Sequence, residues 1–113
     1  MVTVPDDFVT AFHLVQCSVH NMAVSKGWWD TPRNDGEMIA LTHQELSEAL
    51  DCLRKGNPPA EHIPAFSGLE EEFADVVIRL MDFAAARNLR IAEAIIAKME
   101  FNANRPHKHG KKF

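Results

Sequence analysis

Apolar residues recur along this chain at spacings of three and four, the period of an amphipathic helix, over four separate segments. The first segment covers about residues 5–25, where proline followed by two aspartates supplies a helix start. Its predicted core stripe consists of Phe8, Phe12, Val15, Val19 and Met22. No segment reads convincingly as a strand, so we predict an all-α protein.

A second helix is predicted over residues 37–54, and the Gly-Asn-Pro-Pro run at 56–59 ends it. The loop before it, residues 26–36, contains the adjacent Trp28 and Trp29. Two adjacent side chains point to opposite sides of a chain. We therefore expect at least one of the two tryptophans to lie near a surface or a pocket.

The third and fourth helices have clear boundary signals. The third is predicted over residues 67–87, with Ser67 as its N-cap and Glu70 at the capping-box position. Asn88 is its predicted C-cap. The fourth helix is predicted to begin only a few residues later, over residues 91–102.

Together these elements predict a four-helix antiparallel bundle. Because the last two helices are joined by a very short turn, we expect them to form a hairpin. The bundle is predicted to be one domain, residues 1–106, followed by a basic tail, residues 107–113. Dimerisation is expected to complete it, since a chain of 113 residues leaves helix faces that a second copy can bury.

Four carboxylates stand at or inside the boundaries of the predicted core. On a helical projection Glu45 falls within the apolar arc of the second helix and Glu48 at its edge. Glu72 adjoins the apolar arc of the third helix, with Asp75 one turn further on. Buried acids at i and i+3 repel each other and are costly without compensation. A divalent cation that prefers oxygen ligands, Mg²⁺ or Mn²⁺, would resolve both problems.

The fourth helix places polar side chains on an apolar face. Lys98, Asn102 and Arg105 share one side with Ile91 and Ile95. If that face borders a polar cleft, the two cations can bind phosphate oxygens and the amide can bind phosphate, sugar or base. The alternative is a lysine that extends to solvent and an arginine favoured by the helix C-terminus.

Composition narrows the class of protein only slightly. Hydrophobic residues make up 46% and charged residues 25%, and the net charge of −4 points to no nucleic acid or membrane partner. Cys17 and Cys52 lie in apolar helical patterns and are expected to be buried thiols, without a CxxC zinc motif. With no signal-peptide pattern visible, we expect a cytoplasmic location.

Three segments, taken in order, resemble the MazG-like all-α nucleoside triphosphate pyrophosphohydrolases. Residues 36–48, GEMIALTHQELSE, resemble the first metal-binding helix of that family, and residues 69–79, LEEEFADVVIR, resemble the second. Residues 98–106, KMEFNANRP, resemble its closing segment. The resemblance extends over about residues 28–106, and its order and spacing are more specific than any one motif.

The resemblance implies Mg²⁺ bound by four acids, here Glu45, Glu48, Glu72 and Asp75. It also implies hydrolysis of a (d)NTP between the α and β phosphates, which gives a nucleoside monophosphate and pyrophosphate. Family members generally act as homodimers or dimers of dimers with sites near subunit interfaces, and clear unwanted nucleotides. Our hypothesis for the general base is Glu48, because it lies at the edge of its arc.

Candidate substrate contacts follow from the same chemistry. Lys98 and Arg105 would hold phosphate oxygens, and Asn102 a phosphate, sugar or base. Trp28 or its neighbour could stack on the base, or simply anchor the loop. Asn21, near the end of the first helix, is a candidate base contact.

Other classes of protein remain alternatives. A di-iron bundle uses Glu-x-x-His, and no glutamate here is followed by histidine three residues later. A non-enzymatic helical interaction module would carry its acids as surface charge. Nucleic-acid binding would rest on the short basic tail alone, which supports only weak contact.

Overall fold

The computed structural model describes residues 2–113, which form four α-helices and no strand. In chain order they are α1 (Phe8–Ser25), α2 (Asp35–Arg54), α3 (Gly68–Arg87) and α4 (Ile91–Ala103), followed by a short 3₁₀ turn. The predicted all-α class is confirmed. Across these residues, no helix has the length and apolarity needed to span a membrane.

Local signals in the sequence account for both ends of α3 and the start of α2. The Ser67 hydroxyl accepts a hydrogen bond from Glu70 N, and the Glu70 carboxylate accepts one from Ser67 N, so the predicted capping box is confirmed. Asn88 ends α3 in the left-handed region, at φ 56°. At the start of α2, the Asn34 side chain accepts from Glu37 N, so this helix begins two residues earlier than predicted.

The central helix is α3, which packs against both α2 and α1 and runs antiparallel to α2. Arg79 contacts Glu45 near the middle of α2, and Arg87 contacts Asp35 at its start. The beginning of α3 approaches the end of α2 closely. A Cβ on Gly68 would lie 2.8 Å from Cys52 Sγ, so glycine is required for this approach.

The prediction that α3 and α4 form a hairpin is wrong. α4 packs against α1, where His13 Nε2 lies 3.1 Å from Glu93 Oε1. The last turn of α4 and Val2 line one surface depression, so α4 follows the N-terminal half of α1 in the opposite direction. A short link restricts where the next helix starts, but it does not decide the direction that the helix takes.

The departure of α4 leaves an apolar groove of about 360 Å³ between α2 and α3. Its wall includes Ile39, Leu46, Leu80 and Phe83, and three of these four side chains are about half exposed. The bundle is therefore open at the position that a fourth helix would occupy.

Other expectations about burial are also wrong. Val15 and Met22, assigned to the core stripe of α1, are exposed, and Gln16 is buried instead. Cys17 is exposed and Cys52 only half-buried. In a helix with apolar residues on several sides, the spacing pattern does not decide which side meets the rest of the protein.

The chain exposes more surface than a compact monomer. Its accessible surface is 8477 Å², whereas a folded monomer of this mass exposes about 6,200 Å². Its radius of gyration is 16.5 Å, against about 13 Å for a compact domain of this length. The excess of roughly 2,200 Å² is as large as one partner's share of a large obligate interface.

Candidate metal centre

Antiparallel packing of α2 and α3 brings three of the predicted metal ligands together. Glu45, Glu72 and Asp75 each offer a carboxylate oxygen, and these oxygens lie within 4.8 Å of one another. Glu45 is only 7% exposed, as its position in the apolar arc predicts. The fourth acid, Glu48, lies one turn further along α2 and is exposed. It contributes to the pKa shifts of Glu45 and Glu72.

Burial and neighbouring carboxylates shift the pKa values of the acids in this cluster. Burial, reinforced by hydrogen bonds and charge from Glu45 and Glu48, raises the pKa of Glu72 from 4.5 to about 8. Burial and the nearby Glu45 also raise the pKa of Asp75. Glu45 differs. Burial opposes its ionisation, but hydrogen bonds from Glu72 and Arg79 outweigh it and lower the pKa of Glu45.

The cluster has few hydrogen-bond donors. Arg79 Nε donates to Glu45 Oε1 at 3.0 Å, and Arg79 Nη2 lies 3.0 Å from the same oxygen in an ion pair. Glu72 Oε2 is buried and has no hydrogen-bond partner among the described residues. A carboxylate oxygen without a donor, among further carboxylates, fits a hard divalent cation. Glu45, Glu72 and Asp75 would hold such a cation between their oxygens, which already lie within 4.8 Å of one another.

Beside the cluster lies a pocket of about 320 Å³ between α1, α3 and the aromatic loop, residues 26–34. Glu45, Asp75 and Arg79 form one wall. Trp28 and Arg33 lie on another, and Lys26 at the end of α1 adds a third cation. The pocket therefore joins a carboxylate cluster to an aromatic face and positive charge, the features that a nucleotide's phosphates and base require.

The two tryptophans of the loop have different roles. Trp28 is 61% exposed and lines the pocket, with the Arg33 guanidinium carbon 5.7 Å from its ring centroid. Trp29 is half-buried, and its Nε1 donates to Asp82 Oδ1 at 2.9 Å. One tryptophan is thus available to a ligand, and the other fastens the loop to α3.

Asp82 is a site residue that sequence reasoning missed. It is 6% exposed, and its carboxylate also accepts a hydrogen bond from His20 Nδ1 at 2.7 Å, with Arg33 Nη1 3.8 Å away. The signal that could have found it is its spacing. Asp82 follows Asp75 by seven residues, two helical turns, and so lies on the same face of α3.

The remaining predicted site residues lie away from this pocket. Lys98 and Arg105 flank the exposed ring of Phe101, with their charged groups 4.7 Å and 5.5 Å from its centroid. The Asn102 side-chain oxygen is buried without a partner among the described residues. Asn21 is exposed and does not line the pocket, whereas Met22 and Lys26 of the same helix region do.

No protein-family model, curated protein or solved structure matches the chain. The fold and the site define an all-α protein in which an acid cluster borders an aromatic, positively charged pocket.

Proposed function

We propose that this chain is a Mg²⁺-dependent, MazG-like nucleoside triphosphate pyrophosphohydrolase. It would cleave a (d)NTP between the α and β phosphates to a nucleoside monophosphate and pyrophosphate, in the clearance of nucleotides, with Mn²⁺ as a possible substitute cation. The observation that carries this proposal is the convergence of three carboxylates, within 4.8 Å of one another, at the edge of a pocket lined by Trp28 and Arg33.

Each group at the site has a role that its surroundings support. Glu45, Glu72 and Asp75 would hold the cation, and Glu48 would complete the set. When bound, the cation supplies charge neutralisation for the phosphates and lowers the pKa of nearby water. Glu48 is the most exposed of the four acids, which suits a general base that must reach a water molecule.

The pocket beyond the cluster would bind the rest of the nucleotide. Lys26 and Arg33 are suited to phosphate oxygens, because both are cations on the pocket wall. Trp28 presents an exposed ring that can stack on any base. Asn21 would need a side-chain or helix movement to take part.

A homodimer, or a dimer of dimers, is part of the same proposal. The excess exposed area and the open groove between α2 and α3 support a second copy as the missing packing partner. Within one chain α4 follows the N-terminal half of α1. Lys98, Asn102 and Arg105 would therefore contact substrate at the site of the other subunit.

The reaction is tested by incubating the purified protein with NTPs and dNTPs, with Mg²⁺ or with EDTA, and separating the products by ion-exchange chromatography. Monophosphate and pyrophosphate should form only with the cation. Glu45→Gln should lower turnover by about 10³-fold. The matched control is Asp51→Asn, which removes the charge of an exposed acid of the same helix that pairs with Lys55. Formation of diphosphate and orthophosphate would contradict cleavage between the α and β phosphates. No turnover at all would contradict the proposal that the protein is an enzyme.

Subunit sharing is tested by mixing two inactive chains. Glu45→Gln and Arg105→Gln each damage every site of their own dimers. In a mixed dimer one of the two sites would keep both groups intact, so an equal mixture should recover up to about a quarter of wild-type activity. Absence of recovery, with mixed dimers shown by mass spectrometry, would mean that the residues of α4 do not act across subunits.

A non-enzymatic interaction module is the second candidate, and the apolar groove between α2 and α3 favours it. A cation discriminates between the two, because a ligand that binds only the folded state raises its stability. If the acids are only surface charge, Mg²⁺ should raise the melting temperature of the wild type no more than that of Glu45→Gln.

A further inference from the structure

We propose that Arg79 is a phosphate-binding residue of this site, which Glu45 holds while the acid cluster lacks a cation and releases when a cation binds. This inference rests on the proposed function, since it requires a cation site at the cluster and a phosphate-bearing substrate in the pocket.

The geometry of Arg79 gives the first reason. Its Nε donates to Glu45 Oε1 at 3.0 Å, and its Nη2 forms an ion pair with the same oxygen, also at 3.0 Å. A divalent ion bound at that oxygen would compete with both guanidinium contacts for it. A cation among Glu45, Glu72 and Asp75 would, in addition, repel the positive guanidinium. Cation binding and the contact between Arg79 and Glu45 therefore oppose each other.

The position of Arg79 gives the second reason. It is on the wall of the pocket, one turn after Asp75 on α3, and its side chain is 34% exposed. A guanidinium that loses its carboxylate here needs another anion, because an unpaired charge beside a buried cluster is costly. The phosphate oxygens of a nucleotide bound to the cation are the anions next to it, and the planar fork of arginine suits them.

Arg79 would thus couple the two ligands. Before the cation binds, the arginine supplies positive charge to the cluster. Afterwards the same positive charge is available to the substrate, so binding of cation and of phosphate should be cooperative.

The test measures cation and phosphate binding separately, with no turnover. Mn²⁺ binding is followed by electron paramagnetic resonance on the full chain, and binding of inorganic triphosphate by calorimetry at saturating Mn²⁺. Arg79→Gln removes the competing guanidinium, and we expect it to tighten Mn²⁺ binding about five-fold or more. The same variant should weaken triphosphate binding by about 10- to 100-fold.

Arg87→Gln is the matched control for cation binding. Arg87 is also on α3, also donates to a carboxylate of α2, Asp35, and has a side chain 35% exposed, but it lies outside the cluster. It should leave Mn²⁺ affinity unchanged. Arg79→Lys keeps the charge without the fork, and should keep near wild-type Mn²⁺ affinity with an intermediate loss of triphosphate affinity.

Two results would overturn the inference while leaving the metal site intact. One is weaker Mn²⁺ binding in Arg79→Gln, which would make Arg79 a residue that positions Glu45. The other is unchanged triphosphate affinity in that variant. Failure of the wild type and of Arg79→Gln alike to bind Mn²⁺ would reject the proposed metal site itself, and this inference with it.

Discussion

Two carboxylate sites along α3, Asp82 and the acid cluster that includes Glu72, differ in what surrounds them. Asp82 is enclosed by donors: Trp29 Nε1 and His20 Nδ1 both donate to it, at 2.9 Å and 2.7 Å. Around Glu72 the neighbours are chiefly acids, and one of its oxygens has no hydrogen-bond partner among the described residues. Asp82 is buried and Glu72 is half-buried. Arg33 lies near Asp82, and Arg79 pairs with Glu45 of the acid cluster.

The difference shows that burial of an acid does not by itself identify a metal site. A buried carboxylate whose lone pairs are filled by N–H donors is stable as it stands, and it can fasten one part of a fold to another. A group of carboxylates with too few donors stays ionised only if it binds a cation, and otherwise takes up protons. The supply of donors, rather than the exposed fraction, separates the two roles.

The largest expected effect comes from replacing a carboxylate by an amide at each site, with Glu45→Gln in the acid cluster and Asp82→Asn at the other site. Glu45→Gln should lower kcat/KM by about 10³-fold and abolish Mn²⁺ binding, because a cation ligand supplies several kcal/mol at the transition state. Asp82→Asn should retain Mn²⁺ binding. The two variants are compared by Mn²⁺ titration, and loss of binding in Asp82→Asn would remove the distinction between the groups.

The second effect concerns stability. Asp82→Ala should lower the free energy of unfolding by about 3 kcal/mol, because it leaves the buried donors of Trp29 and His20 without an acceptor. Urea denaturation of the metal-free protein measures this. Asp51→Ala, at an exposed pair with Lys55, should change the same quantity by less than about 0.5 kcal/mol. Equal losses in the two variants would contradict an anchoring role for Asp82.

The third effect is a pH dependence specific to the acid cluster. The pKa of Glu72 is raised to about 8 by burial and by Glu45 and Glu48. Between pH 4.5 and pH 8 the folded, metal-free chain therefore keeps a proton that the unfolded chain loses. Stability should fall as pH rises through this window.

Urea denaturation in EDTA at several pH values measures this fall, and Glu72→Gln should make the profile flatter, since the amide cannot titrate. Saturating Mg²⁺ should also oppose the fall, because the cation favours the ionised cluster. A profile that is the same in wild type and Glu72→Gln would mean that Glu72 does not hold this proton.

The smallest expected effect separates the adjacent tryptophans. Trp29→Phe removes the indole N–H that Asp82 accepts, and should lower the free energy of unfolding by about 1–2 kcal/mol. Trp28→Phe should change it by less than about 0.5 kcal/mol, since Trp28 is exposed. Trp28→Ala should instead raise KM in the nucleotide assay. A larger stability loss for Trp28→Phe than for Trp29→Phe would contradict the assignment of Trp29 as the residue that fastens the loop to α3.

Much of the helical structure could be predicted because it depends on residues close together in the chain. The capping box of Ser67 and Glu70 and the left-handed Asn88 are local interactions, and both were predicted correctly. The i,i+3 pairs at Glu45 and Glu72 placed acids at the core boundary for the same reason. Antiparallel packing then made Glu45, Glu72 and Asp75 neighbours, and whether they bind a cation stays a prediction.

The direction of α4, the exposure of Cys17 and the distinct roles of Trp28 and Trp29 were decided only by the tertiary structure. Each depends on contacts between residues far apart in sequence. Asp82 shows this best, because its partners His20 and Trp29 are 62 and 53 positions away. The spacing of apolar residues in the sequence indicates which residues share one face of a helix. Which element packs on that face depends on the competition among all the apolar faces of the chain, and that competition is settled only when the whole chain folds.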